Sequence, residues 1–151
     1  MRELYDIQRV VPHRGTMRLV DRLVDWDEDT VAVELRVPEE GPFSHAEGVP
    51  AWVGVEYMAQ AIAAWAGCRA RAEGREPSIG FLLGTRRYTA HQPAFTPGSC
   101  LRVAAHGELR GDKGLGMFAC RILAGDVELA VANVSVFEPR DAMAYLESGE
   151  A

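Results

Sequence analysis

The chain has 151 residues, the usual size of one domain and long enough to bury a sizeable core. With 48% hydrophobic and 25% charged residues it has the composition of a globular protein, not of a disordered one. A formal net charge of -6, from 16 Lys+Arg against 22 Asp+Glu, excludes a general nucleic-acid binder, which needs a basic surface to displace counterions from phosphates.

The N-terminal run MRELYDIQRVVPHRG has neither an apolar core nor a small-residue cleavage site, so no secretory signal is expected. A short helix is expected there, followed by a strand over Met17–Asp25, whose pattern is the weakest of the set. Thr30–Val37 reads as a clear strand, with Val31, Val33, Leu35 and Val37 on one face.

Residues 50–68, PAWVGVEYMAQAIAAWAGC, carry a single charge, Glu56. Apolar residues at Trp52, Val55, Ala59, Ile62 and Ala66 follow the i, i+3, i+4 spacing of a helix, and its other faces are apolar too. Such a helix is buried on all sides or spans a membrane. The Glu, Gln, Pro and two Gly within the run, with strand-like segments on both sides, favour a central helix wrapped by a sheet over a membrane span. Pro50 suits the first helical turn, Gly54 and Gly67 allow strands to approach, Arg69, Arg71 and Arg75 suit the C-terminal end, and Gly74 suits the stop.

Four further strands are predicted: Ile79–Tyr88, Leu101–Leu109, Gly116–Leu123 and Val127–Phe137. Gly111–Gly114 and Ala124-Gly125-Asp126 supply turns between them. In Leu101–Leu109, Arg102, His106 and Glu108 lie opposite the apolar set. Strands joined by short turns imply an antiparallel sheet, and one apolar helix against it makes an α+β class in a single domain, residues 1–151.

Cys68, Cys100 and Cys120 are widely spaced, odd in number and set among apolar residues, a pattern of neither a disulfide framework nor a zinc site. They are read as buried, reduced thiols, and the protein as cytoplasmic. No metal-ligand spacing links the four histidines, and no cofactor is expected.

Two motifs then bring a family into view. Val11–Leu23, VPHRGTMRLVDRL, resembles the opening segment of the 3-hydroxyacyl-acyl carrier protein dehydratases, with its Pro-His-Arg run before Leu-Val-Asp-Arg. Val49–Gln60, VPAWVGVEYMAQ, resembles the start of that family's helix. Over the length of PAWVGVEYMAQAIAAWAG the chain is most similar to a branch of dehydratase-like proteins (ApeP-like) that accompany bacterial aryl polyene and related fatty-acid-like pathways. The resemblance runs from Val11 to about Phe137. It implies a hotdog fold, a long helix wrapped by a curved antiparallel sheet, and a dimer joined edge to edge with its substrate tunnel at the interface. It also implies an acyl carrier protein or CoA thioester as substrate, and a homodimer or a heteromer with another hotdog subunit.

Glu56 is the leading catalytic candidate. A lone carboxylate in an apolar helix must be paired, protonated or used, and burial tunes it toward general acid or base work. In the family the helix carboxylate gives a proton to the departing 3-hydroxyl while a histidine takes the α-proton, and Glu56 holds the matching position. The chain departs from the pattern at the histidine. The Gly-His-Phe-Pro run is absent, and His45 in FSHAEGVP either reaches the site or lies at the surface beside Glu47. His13 is read as structural. Gln60, one helical turn beyond Glu56, orients it, binds substrate or makes a structural amide contact. The amides of Ala51 and Trp52 at the helix start are candidates for holding the thioester oxygen. Phe43, Trp52, Tyr57, Phe81 and Leu82 are candidates for an acyl channel, against the ordinary role of core residues. Arg86 and Arg87 are candidates for a pantetheine phosphate or an acidic carrier protein, against a solvated pair. Three functions stay open: dehydratase, hotdog thioesterase, and non-catalytic subunit of a heteromeric complex.

Overall fold

The computed structural model describes residues 3–76, 81–110 and 115–137. A one-turn helix α1 (Ile7–Val10) leads to a 3-10 turn at Gly15–Met17 and strands β1 (Arg22–Trp26) and β2 (Thr30–Arg36). After a loop and a two-residue strand β3 (Val49–Pro50), a 3-10 turn at Ala51–Val53 opens into the long helix α2 (Gly54–Ala72). Then come β4 (Phe81–Ala90), the short β5 (Ala94–Phe95), β6 (Cys100–Arg110), β7 (Leu115–Ala124) and β8 (Val127–Phe137).

Six strands form one antiparallel sheet in the order β1-β2-β6-β7-β8-β4, and β3 pairs with β5 beside it. The inward residues alternate as expected. Val31, Val33 and Leu35 of β2 and Leu101, Val103 and Ala105 of β6 are buried with Phe118, Cys120 and Ile122 of β7. Helix α2 packs Met58, Ala61, Ile62, Trp65 and Cys68 into this layer. The hotdog architecture read from the resemblance is therefore the architecture observed. Among the described residues no helix is long and apolar enough to cross a membrane.

Two glycines of α2 allow close approach to the helix. A Cβ on Gly54 would stand 2.1 Å from the Tyr88 hydroxyl, and one on Gly67 would stand 2.1 Å from the Val10 carbonyl oxygen. Gly54 thus admits β4 to the start of the helix. Gly67 meets the end of α1, where a strand was expected. At the other end, Gly74 adopts φ +73° and its amide bonds to the Arg71 carbonyl, closing α2 after Ala72 at the glycine where the stop was expected.

Four expectations are corrected. Pro50 precedes the helix in extended backbone (ψ 142°) and belongs to β3. Trp52, placed on the apolar helix face by spacing, lies in the 3-10 turn with 65% of its surface exposed. Met17–Leu19 stays out of the sheet because its backbone is engaged by Gln60, so the strand begins at Arg22. Cys100 is exposed, whereas Cys68 and Cys120 are buried and their thiols are pushed up to about 12 by burial. Ile79, the start of the expected fourth strand, and the Gly111–Gly114 turn lie outside the described residues.

Candidate active site

Gln60 is the fixed point of the site. Among the described residues it is the one buried polar side chain of the core, with no exposed surface. Its Oε1 accepts from the Leu19 amide at 2.8 Å, and its Nε2 donates to the Met17 carbonyl at 2.8 Å. These two backbone partners fix which end of the amide is which, because a flipped side chain would set oxygen against oxygen and N–H against N–H. The second hydrogen of Nε2 is therefore available to Glu56, whose Oε1 accepts it at 3.2 Å. The (i, i+4) geometry of the helix supplies that contact.

Glu56 stands in the first turn of α2, where the helix dipole favours a negative charge. Its side chain is 39% exposed in the single chain. Burial was the expectation; instead Val55, Glu56, Ala59, Ala63 and Ala66 form a half-covered face of α2, while the opposite face is sealed by the sheet. The second neighbour of the carboxylate is His13, whose Nε2 lies 3.5 Å from Glu56 Oε1. His13 was read as structural from sequence, and the structure places it in the site. Its only sequence signal was membership of the Pro-His-Arg run.

His45 is not brought to Glu56 within the chain. It is exposed in a tight reversal where its backbone exchanges two hydrogen bonds with Gly48, and its ring has no hydrogen-bond or ion-pair partner among the described residues.

The start of the helix is built differently from the expectation. The Ala51 amide donates to the Pro93 carbonyl at 2.9 Å, so it is already committed and cannot hold a thioester oxygen. The Ala51 carbonyl accepts from the Tyr88 hydroxyl. Tyr88 gets there through a bulge in β4: Arg87 adopts φ 57°, and the register with β8 shifts between Arg86 and Thr89. Burial pushes the Tyr88 phenol up to about 12. Tyr88 is a positioning residue that sequence reasoning missed.

Phe43 and Tyr57 come together on one cleft of about 190 Å³, lined also by Leu19, Asp21, Arg36 and Pro42. Phe43 packs edge-on to the exposed Trp52 at 5.9 Å, whereas Tyr57 is a core residue against Phe95 at 5.6 Å. Burial, with Asp21 and Tyr88 nearby, pushes the Tyr57 phenol up to about 12. Arg87 is exposed; the side chains of Arg86, Phe81 and Leu82 lie outside the described residues.

The model of the ApeP-like family, described as ApeP dehydratase, matches residues 5–147. The chain belongs to the ApeP dehydratase family. It is 32% identical over 123 residues to the 3-hydroxyacyl-[acyl-carrier-protein] dehydratase FabZ of Chlamydia trachomatis serovar L2, covering 77% of this chain and 79% of that one. Among solved structures it superposes on a chain of the dehydratase heterocomplex ApeI:P from Xenorhabdus doucetiae with TM-score 0.89 and 27% identity, covering 99% of this chain and 100% of the other. The protein smu.793 of Streptococcus mutans UA159, solved bound to acetyl CoA, shares the fold at TM-score 0.61 and 11% identity, over 79% and 90% of the two chains. The family members are dehydratases of 3-hydroxyacyl thioesters, and this chain is a lyase of that kind.

Proposed function

We propose that the chain removes water from a 3-hydroxyacyl group carried on acyl carrier protein, with Glu56 as the reacting carboxyl. The observation that carries the reading is the anchoring of Glu56: an apolar helix presents one carboxylate, and a fully buried amide holds one of its oxygens in place. The reaction takes a proton from C2, expels the C3 hydroxyl with a proton as water, and leaves the C2–C3 double bond conjugated with the thioester. Glu56, in its acid form, supplies the proton to the departing hydroxyl. A base near the α-carbon takes the other, and the thioester oxygen draws charge from C2 as it leaves. With the Ala51 amide committed to Pro93, the Trp52 amide, next in the turn, is the donor we assign to that oxygen.

The partner is a second hotdog subunit docked along β4, the edge strand nearest the helix start, and over the half-covered face of α2. The heterocomplex of the structural relative supports a non-identical subunit. In such an assembly the exposed His45 of one subunit is set to act on a site across the interface. The exposed Trp52 and the half-buried Phe43 flank the entrance, and the exposed Arg87, with Arg86, offers charge to a phosphate or an acidic carrier protein. Reduced, unpaired thiols accord with action in the cytoplasm.

The test is mass spectrometry of a 3-hydroxyacyl carrier-protein thioester incubated with wild type and with Glu56→Gln, each with and without a second hotdog subunit. Loss of 18 mass units, on the order expected for one water, in wild type alone supports the reading. Release of the acyl group would assign the protein to thioester hydrolysis. An unchanged substrate with every partner supplied would overturn it.

A further inference from the structure

We propose that His13 is the positioning residue that completes the hold on Glu56, so that its Nε2–H and the Gln60 Nε2–H share one carboxylate oxygen and leave the other free for substrate. The inference rests on the reading of Glu56 as the reacting carboxyl.

The N-terminal segment lies against α2 and is fastened at three levels. Val10 sits on Gly67, whose missing side chain leaves room for the Val10 backbone. His13 Nε2 stands 3.5 Å from Glu56 Oε1. Met17 and Leu19 are bonded to Gln60. The turn that carries His13 is stiffened from within, because the Arg14 guanidinium donates to the Val11 carbonyl at 2.6 Å and to the His13 carbonyl at 2.9 Å. His13 therefore arrives at Glu56 on a fixed backbone.

Its ring is not satisfied like an ordinary structural histidine. Nδ1 is buried and has no hydrogen-bond partner, a cost that a residue kept only for packing does not need to carry. In the neutral ring the proton belongs on Nε2, since an N–H at the sealed Nδ1 would have no acceptor. Nε2 is then the donor, and the acceptor within reach is Glu56. At 3.5 Å the contact is longer than a good hydrogen bond, as contacts between reacting groups often are before substrate closes the site. Gln60 and His13 approach the same oxygen, Oε1, so the charge-bearing end that remains unclaimed is Oε2. A carboxyl held this way presents one oxygen in one orientation, which a proton donor to a leaving hydroxyl requires.

Two measurements on the full chain test the proposal, one of them independent of turnover. Histidine ring 15N–1H spectra are compared in wild type and Glu56→Gln. The expected result is an Nε2–H tautomer for His13, whose signals move more than those of His45, His91 and His106. Steady-state dehydration of a 3-hydroxyacyl carrier-protein thioester is then compared for His13→Leu and His13→Gln. The leucine variant is expected to lose at least about tenfold in kcat with KM nearly unchanged. Glutamine, which places a donor near the Nε2 position, is expected to restore most of it. Signals of His13 that ignore Glu56→Gln would overturn the proposal. So would equal losses in both variants accompanied by equal falls in melting temperature, which mark a role in folding alone. A wild-type chain that dehydrates nothing even with a second hotdog subunit supplied, while His13 still answers to Glu56→Gln, would sink the dehydratase reading and leave the pair standing.

Discussion

Replacing Gln60 with leucine cuts the ties between the Met17–Leu19 segment and α2 while filling nearly the same volume. The cost is then polar, since no large cavity opens around a residue with no exposed surface. Two neutral bonds to backbone groups are lost, to the Leu19 amide and the Met17 carbonyl. At about 1 kcal/mol each they amount to about 2 kcal/mol. The bond to Glu56 is left out of the sum because water can replace it on a carboxylate that is 39% exposed. For a domain of this length, about 2 kcal/mol lowers the melting temperature by roughly 4–8 °C. Thermal unfolding followed by circular dichroism measures it, and dehydration by the folded variant at 25 °C should fall on the order of tenfold as Glu56 loses its anchor. Gln60→Glu sharpens the test. Its second oxygen would face the Met17 carbonyl and the Glu56 carboxylate, so the new carboxyl is disfavoured as an anion in the folded chain. The deficit relative to wild type should shrink as pH falls and the group protonates, and grow as pH rises. A leucine variant that melts within about 1 °C of wild type, or a glutamate variant whose deficit is flat with pH, would refute the anchoring role.

Gly54→Ala pushes a methyl toward the Tyr88 hydroxyl, Ile122 and Phe95 and should cost roughly 1–3 kcal/mol in urea denaturation; a neutral result would mean that the helix start is loosely packed. Tyr88→Phe removes only the bond to the Ala51 carbonyl and should cost about 1 kcal/mol by the same measurement. Cys68 and Cys120 are raised to about 12 in the folded chain, so above the ordinary thiol value the unfolded chain binds fewer protons than the folded one. Stability should therefore be intact below about pH 8.5 and fall as pH climbs toward 12, by at most about 1.4 kcal/mol per unit for each thiol. A thiol reagent should modify Cys100 quickly in the native protein, with Cys68 and Cys120 following only on unfolding; fast labelling of all three would contradict their burial.

What could be read from the chain alone follows from how local each signal is. Glu56 was legible because one charge in an apolar helix has few explanations. The strand faces of β2 and β6 were legible because alternation is a property of neighbours. The same alternation, extended by one residue from the inward Leu101, places Cys100 outward, so its exposure could have been read as well. The helix start could not, because Ala51 is held by Pro93 and Tyr88, which lie far along the chain. The start of the expected Met17–Asp25 strand was lost for a similar reason: a side chain on another element takes the backbone groups a ladder would have used. His13 meets Glu56 because its segment docks on α2, at Gly67 before it and at Gln60 after it, and no spacing rule connects these residues.

Among the described residues the sheet leaves two unlike edges open. β1 offers five residues and is broken by a bulge between Leu23 and Asp25. β4 offers ten, with register shifts between Leu82 and Gly84 and between Arg86 and Thr89. If subunits joined β1 to β4, every addition would expose the same pair of edges again, and growth would stop only where the rotation closed a ring. Joining β4 to β4 uses up the longer edge on both sides and stops at two. The short, kinked β1 makes a poor ladder for the endless mode, so the geometry of the rim favours a closed pair over a fibre.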